Sequence, residues 1–152
     1  EAERQRRDSS PWTLVQGILA PVQFIIFLVS LGLVMRTLMT GEGVFAAHLS
    51  ILAKTLALYT IMITGALWEK DVFGQYLFAP AFFWEDVVSF GVIALHTLYL
   101  GGLIFGWMDD RTLFVITLFA YATYVVNAAQ FLLKLRAARL SAPASRQAEA
   151  LT

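Results

Sequence analysis

Val87-Val-Ser-Phe-Gly-Val-Ile-Ala-Leu-His-Thr-Leu-Tyr-Leu-Gly-Gly-Leu-Ile-Phe-Gly-Trp-Met108 and Thr112-Leu-Phe-Val-Ile-Thr-Leu-Phe-Ala-Tyr-Ala-Thr-Tyr-Val-Val-Asn-Ala-Ala-Gln-Phe-Leu-Leu133 are two uncharged runs of 22 residues, parted only by Asp109-Asp110-Arg111. A helix crosses a bilayer core with about 20 apolar residues. Both runs therefore read as membrane spans. Upstream, residues 9–35 hold no charge and 14–35 are almost continuously apolar. Residues 46–68 form the remaining run, interrupted only by His48 and Lys54 near its start. The expectation is an all-α integral membrane protein with four transmembrane helices. Thr40-Gly-Glu-Gly43 and Met108-Asp-Asp-Arg111 read as tight turns. Residues 72–84 are uncharged but too few to span, and Gly74 and Pro80 mark them as an interfacial or re-entrant loop.

Bulk composition agrees. Of 152 residues 59% are hydrophobic and 14% charged, and the mean hydropathy is +0.69. A soluble domain of this size has no interior large enough for that much apolar surface. Eleven basic and eleven acidic residues cancel, so no global field favours nucleic acid. The absence of cysteine excludes disulfides, thiolate nucleophiles, iron–sulfur clusters and cysteine-held zinc. No Walker loop, G-x-G-x-x-G or H-E-x-x-H occurs, and no internal repeat is visible. Arg4, Arg6 and Arg7 precede an apolar run too long for a signal-peptide core.

With four spans both termini share a side. That side carries Arg4, Arg6, Arg7, Lys70, Lys134, Arg136, Arg139 and Arg146, against Arg36 and Arg111 opposite. Eight against two assigns the termini and the loop between helices 2 and 3 to the cytoplasm. The expected division is a cytoplasmic N-terminal segment over 1–11, a transmembrane domain over 12–138 and a disordered cytoplasmic tail over 139–152.

The loop segment is Trp68-Glu-Lys-Asp-Val-Phe-Gly-Gln-Tyr-Leu-Phe-Ala-Pro-Ala-Phe-Phe-Trp-Glu-Asp-Val-Val-Ser89. Glu69, Asp71, Glu85 and Asp86 stand at the mouths of two helices joined by a short connection, so they are expected to converge. Phe73, Tyr76, Phe78, Phe82, Phe83 and Trp84 would desolvate nearby carboxyls and keep one protonated near neutral pH. The competing reading is a wet interface with an aromatic belt. His96 lies eleven residues past Glu85, on the same helix face and about 16 Å deeper. An ionisable residue there is a functional candidate, or else a neutral imidazole bonded between helices. Tyr124, Asn127, Gln130 and Lys134 share an arc of the fourth span, and Gln16, Gln23 and Ser30 form a stripe on the first. Lipid offers such groups no partners, so both stripes face other helices, either as glue or as a cavity lining. Lys54 is expected to snorkel from the outer end of its helix. His48 reads as structural. Gly102-Leu-Ile-Phe-Gly106 is a weak signal for close helix contact. Two distant histidines and no carboxylate at ligand spacing give no protein-held metal site.

Trp12-Thr-Leu-Val-Gln-Gly-Ile-Leu-Ala-Pro21, Leu28-Val-Ser-Leu-Gly-Leu33, Gly65-Ala-Leu-Trp-Glu-Lys70, the block Phe73–Ser89, Ile93-Ala-Leu-His-Thr97 and Ala120-Tyr-Ala-Thr-Tyr-Val-Val-Asn127 closely resemble the 3-vinyl (also called 2-vinyl) bacteriochlorophyllide hydratase family. The resemblance covers residues 4–140. It implies a hydro-lyase of bacteriochlorophyll biosynthesis in the bacterial inner (intracytoplasmic) membrane. The reaction adds water across the 3-vinyl group of chlorophyllide a or its bacteriochlorin counterpart, giving a 3-(1-hydroxyethyl) group. The implied partners are the tetrapyrrole, water, membrane lipid and neighbouring pigment-biosynthesis enzymes, with no nucleic acid. Such chemistry calls for no redox cofactor or nucleotide. It needs a general acid of raised pKa, a base for the water proton and a flat apolar slot. Glu85 or Glu69 is the expected acid, with Asp86 or the other glutamate orienting water. His96 is either an assistant or an axial ligand to the substrate's magnesium. Lys70 or Lys134 is expected to hold the propionate, and Phe73, Tyr76, Phe82, Phe83, Trp84, Tyr124, Asn127 and Gln130 to line the substrate site. Asp71 stands where the family pattern suggests an apolar residue. Two competing functions remain: a non-catalytic tetrapyrrole carrier or assembly factor, similar to tryptophan-rich sensory proteins, and a four-helix proton-coupled exporter. The exporter class needs a carboxylate within a span, and none is present.

Overall fold

Ser10 separates the first two helices. Its backbone is extended and its hydroxyl accepts the Trp12 N–H, while Pro11 supplies the preset first helical residue. A computed structural model describes residues 2–150, with the side chains of 138, 139 and 141–150 outside that description. In order come α1 (Ala2–Ser9), α2 (Pro11–Thr40), α3 (Val44–Phe73), a single 3-10 turn (Pro80–Phe82), α4 (Phe83–Phe105) and α5 (Asp110–Ala150). Among the described residues there is no strand. Four helices are long and apolar enough to cross a membrane, so this is a multi-pass membrane protein. The expected disordered tail falls, Leu140 apart, on residues 139–152 whose side chains lie outside the described set.

The bundle is a four-sided ring. α2 packs on α3 and α4 on α5 as antiparallel hairpins, and α2–α5 and α3–α4 contacts close it. α1 lies back across the end of α3, where the Arg6 guanidinium donates to the Val72 carbonyl at 2.7 Å and Ser10 Oγ donates to Asp71 at 2.9 Å. Two apolar clusters fill the interior. Phe27, Leu58, Val92, Ala120, Tyr121 and Tyr124 occupy the half nearer the termini, and Val34, Ala47, Ile51, Tyr99, Leu113 and Phe114 the other.

The stripe on α2 behaves as expected of polar groups that cannot face lipid. Gln16 donates to Thr64, Gln23 accepts from Lys54 at 2.8 Å, and the Ser30 hydroxyl bonds Tyr121 at 2.6 Å. Lys54 does not snorkel. α3 begins at Val44, so Lys54 lies ten residues, about 15 Å, along the helix. It is 0% exposed, and its ammonium sits 3.7 Å from the Tyr124 ring centroid. A distant interface and two good internal partners favour burial. The two glycines of Gly102–Gly106 have separate roles. A Cβ on Gly102 would come within 2.9 Å of Leu113, which is the close helix contact, whereas Gly106 takes φ +66° and ends α4.

The loop between α3 and α4 is shorter than residues 72–84. α3 runs to Phe73 and stops at left-handed Gly74, and Pro80 opens the turn that leads into α4. Only residues 74–79 are irregular.

Candidate active site

Glu69 in the last turns of α3 and Asp86 in the first turn of α4 come together, carboxyl beside carboxyl within hydrogen-bonding reach. Both are buried, at 4% and 3% exposed. Two successive loop amides close over them. The Phe78 N–H donates to Asp86 at 2.9 Å and the Ala79 N–H to Glu69 at 3.4 Å. Glu69 follows the apolar run 46–68, at the membrane boundary. Two negative charges held side by side and away from solvent repel, which suits the pair to sharing one proton.

Glu85 is not part of that pair. One residue along a helix is a turn of about 100°, which carries Glu85 round to α5. There its carboxylate meets the Lys134 ammonium at 3.4 Å and its carbonyl accepts from Asn127 Nδ2 at 3.0 Å. Asn127 also accepts the Ser89 hydroxyl at 2.9 Å and reaches Gln130 at 3.2 Å. This second patch ties the start of α4 to α5. Asp71 is apart from both, occupied with Ser10.

The aromatic residues divide in the same way. Phe82 is buried against Trp68, Phe73 and Phe131, with ring centroids 5.4–5.7 Å away, and makes an interior wall. Tyr76, Phe83 and Trp84 are exposed. Phe78 packs on Phe83 at 5.7 Å and stacks on Phe90 at 5.4 Å with ring planes 15° apart. Phe78 also has φ +60°, a conformation bulky residues rarely adopt. Its amide is fastened to Asp86 in that state. Sequence reasoning missed the stacking role of Phe78 and missed Phe90 altogether. The available signal was the seven-residue interval from Phe83 to Phe90, which puts both on one helix face.

Lys70 donates to the Gly74 carbonyl at 3.0 Å and lies 5.5 Å from the Tyr76 ring centroid, so a cation borders the loop. His96 is elsewhere. It lies ten residues, about 15 Å, beyond Asp86 and is 1% exposed. Its Nδ1–H donates to the Val92 carbonyl at 2.8 Å, and Nε2 has no hydrogen-bond partner among the described residues. Tyr124 lies under Lys54 and not at the carboxyl pair. At the opposite end His48 bonds Tyr99 at 2.6 Å and Asp110 at 2.8 Å, joining α3, α4 and α5. Its expected structural place is the one observed.

The chain matches the family model for 2-vinyl bacteriochlorophyllide hydratase over residues 1–137. It is 70% identical over 142 residues to 2-vinyl bacteriochlorophyllide hydratase of Rhodobacter capsulatus, covering 93% of this chain and 82% of that protein. The protein of the same name from Cereibacter sphaeroides is 65% identical over 146 residues, covering 96% of this chain and 91% of the relative. No solved structure matches the chain.

Proposed function

This chain belongs to the 2-vinyl bacteriochlorophyllide hydratase family and is a hydro-lyase of bacteriochlorophyll biosynthesis; we propose that Glu69 and Asp86 are the groups that handle its protons. The substrate in this reading is chlorophyllide a or the corresponding bacteriochlorin. Its ring vinyl group, –CH=CH2, gains one water and becomes –CH(OH)CH3.

The steps balance. Protonated Glu69 gives its proton to the terminal CH2, which becomes CH3. The positive charge left on the inner carbon is spread into the conjugated macrocycle. Water adds its oxygen to that carbon and loses a proton to the carboxylate of Asp86. The pair ends as it began, with one shared proton. A general acid must be protonated at working pH and a base must be ionised, and one proton shared by two carboxyls meets both demands. Glu85 has no part in proton transfer here, since its carboxylate faces α5 and is engaged by the Lys134 ammonium at 3.4 Å. Lys70 takes the propionate of the macrocycle at the boundary. His96 receives no role in the chemistry.

The observation that carries this reading is the buried Glu69–Asp86 pair under the Phe78–Ala79 amides. The membrane in this reading is the bacterial inner (intracytoplasmic) membrane, with both termini and the site loop cytoplasmic, as the eight-to-two basic asymmetry supports. The test is incubation of vinyl chlorophyllide with membranes of a heterologous host expressing the chain, in 18O-labelled water. The expected product has lost the vinyl absorption and gained one labelled water. Pigment that binds but returns unconverted would overturn the hydratase assignment in favour of a carrier.

A further inference from the structure

The Phe78 loop closes over the carboxyl pair and leans outward onto the exposed side of α4, where the Phe78 ring meets Phe83 and Phe90. Below Phe90 that side is hollowed into a shallow groove of about 640 Å³, lined by Ile93, Ala94, Thr97, Leu98 and Gly101 and floored by Trp107 at its far end. The groove is almost wholly apolar, and Phe90 belongs both to its rim and to the Phe78 stack. Ligand sites run from roughly 300 to 1,000 Å³, which admits this groove. The groove on the α2–α5 side holds only about 220 Å³.

Two further observations say what fits. Tyr59 on α3 and Thr97 on α4 bond each other through their hydroxyls at 2.6 Å, on the outer side of the bundle. One hydroxyl hydrogen is left over from that bond, and acyl chains offer it no acceptor, whereas a polar substituent on the rim of a macrocycle does. Thr97 is also eleven residues past Asp86, about 16 Å along α4. The groove hydroxyl and the carboxyl pair beyond Phe90 are therefore separated by a distance commensurate with a substituted tetrapyrrole.

We propose that the macrocycle binds from the bilayer side, flat along this face of α4, with the Phe78–Phe90 stack as the stop that brings its vinyl edge to the carboxyl pair. This rests on the hydratase reading above and extends it to the route and seat of the substrate. The vinyl group stays at the boundary beside the carboxyl pair, the propionate reaches toward Lys70, and the edge opposite the vinyl group lies deeper against the Tyr59–Thr97 hydroxyls. Phe78 and Phe90 are positioning residues in this scheme. The Phe78 amide couples the stack to Asp86, so seating the ring and exposing the acid are one movement of the loop.

The test uses the full chain in lipid nanodiscs with vinyl chlorophyllide dissolved in the lipid. Ala94 is exposed on the groove and Ala122 is exposed on α5, so a tryptophan at either replaces lipid contact and leaves the core packing alone. Ala94→Trp should raise KM at least fivefold with kcat within twofold of wild type. Ala122→Trp should leave both unchanged. Phe90→Ala should raise KM in the same sense, and pigment quenching of protein fluorescence should weaken in parallel. Equal behaviour of Ala94→Trp and Ala122→Trp would overturn the seat, as would a kcat loss in Ala94→Trp at unchanged KM. Glu69→Gln separates the two proposals. Wild-type quenching without turnover keeps both. Normal turnover in Glu69→Gln removes the acid assignment and leaves the seat standing on the groove variants.

Discussion

Glu69→Gln tests the chemistry most directly, because the local structure says what the substitution keeps. Glutamine has the size of glutamate, and its carbonyl oxygen still accepts the Ala79 N–H that now meets Glu69 at 3.4 Å. Its amide donates to Asp86, replacing the shared proton with a fixed hydrogen bond. Fold and loop therefore persist, and only a transferable proton is lost. General acid–base groups contribute roughly 10²–10⁴ in rate. At about 1.36 kcal/mol per tenfold, the expected loss is about 2.7–5.4 kcal/mol of transition-state stabilisation. It should appear in kcat with KM unchanged. The assay is initial-rate loss of the vinyl absorption in nanodiscs, with the 1-hydroxyethyl product measured by chromatography. Glu85→Gln is the matched control, since it breaks the Lys134 pair and touches no proton in transit. Its kcat should stay within threefold. A Glu69→Gln enzyme within threefold of wild type would refute the reasoning. The reverse order, with Glu85→Gln inactive, would move the acid to the carboxyl paired with Lys134.

Three other outcomes are expected. Because Glu69 acts while protonated in this reading, kcat should fall on the alkaline side as the proton shared with Asp86 is lost. Asp86→Asn removes the neighbouring carboxylate that opposes ionisation of Glu69, so the alkaline fall of its residual rate should move to lower pH; an unmoved limb would count against the pair. Lys54→Met strands the Gln23 carbonyl without its buried donor, at a cost of about 1–3 kcal/mol in denaturation from mixed micelles. Adding Gln23→Leu should recover most of that loss, and a double variant no better than the single would deny the coupling. Since the chain has no cysteine, single substitutions report topology cleanly: in intact cells an impermeant maleimide should label Glu42→Cys and spare Gln75→Cys until lysis, and the opposite pattern would invert the orientation.

What the sequence shows and what it hides follow from the range of the forces involved. A span needs only length and apolarity, so four helices can be read from charge-free runs without knowing their neighbours. The stripe Gln16, Gln23, Ser30 is legible for a similar reason, because lipid rejects it from any outward face. Its partners are not legible. Nothing local distinguishes a snorkelling lysine from one that meets Gln23 and the face of Tyr124, because those groups arrive from α2 and α5. The acids follow the same logic. Glu69, Asp71, Glu85 and Asp86 read as one cluster, yet the bundle sorts them into three tasks. Asp71 accepts from Ser10, Glu85 turns to Lys134, and only Glu69 and Asp86 meet. Adjacent residues on one helix point about 100° apart, so Glu85 and Asp86 are assigned by which neighbours flank α4. That assignment is tertiary. The proposed chemistry rests on it too, since an acid and its conjugate base a residue apart on one helix would diverge, whereas one from each of two facing helices can share a proton.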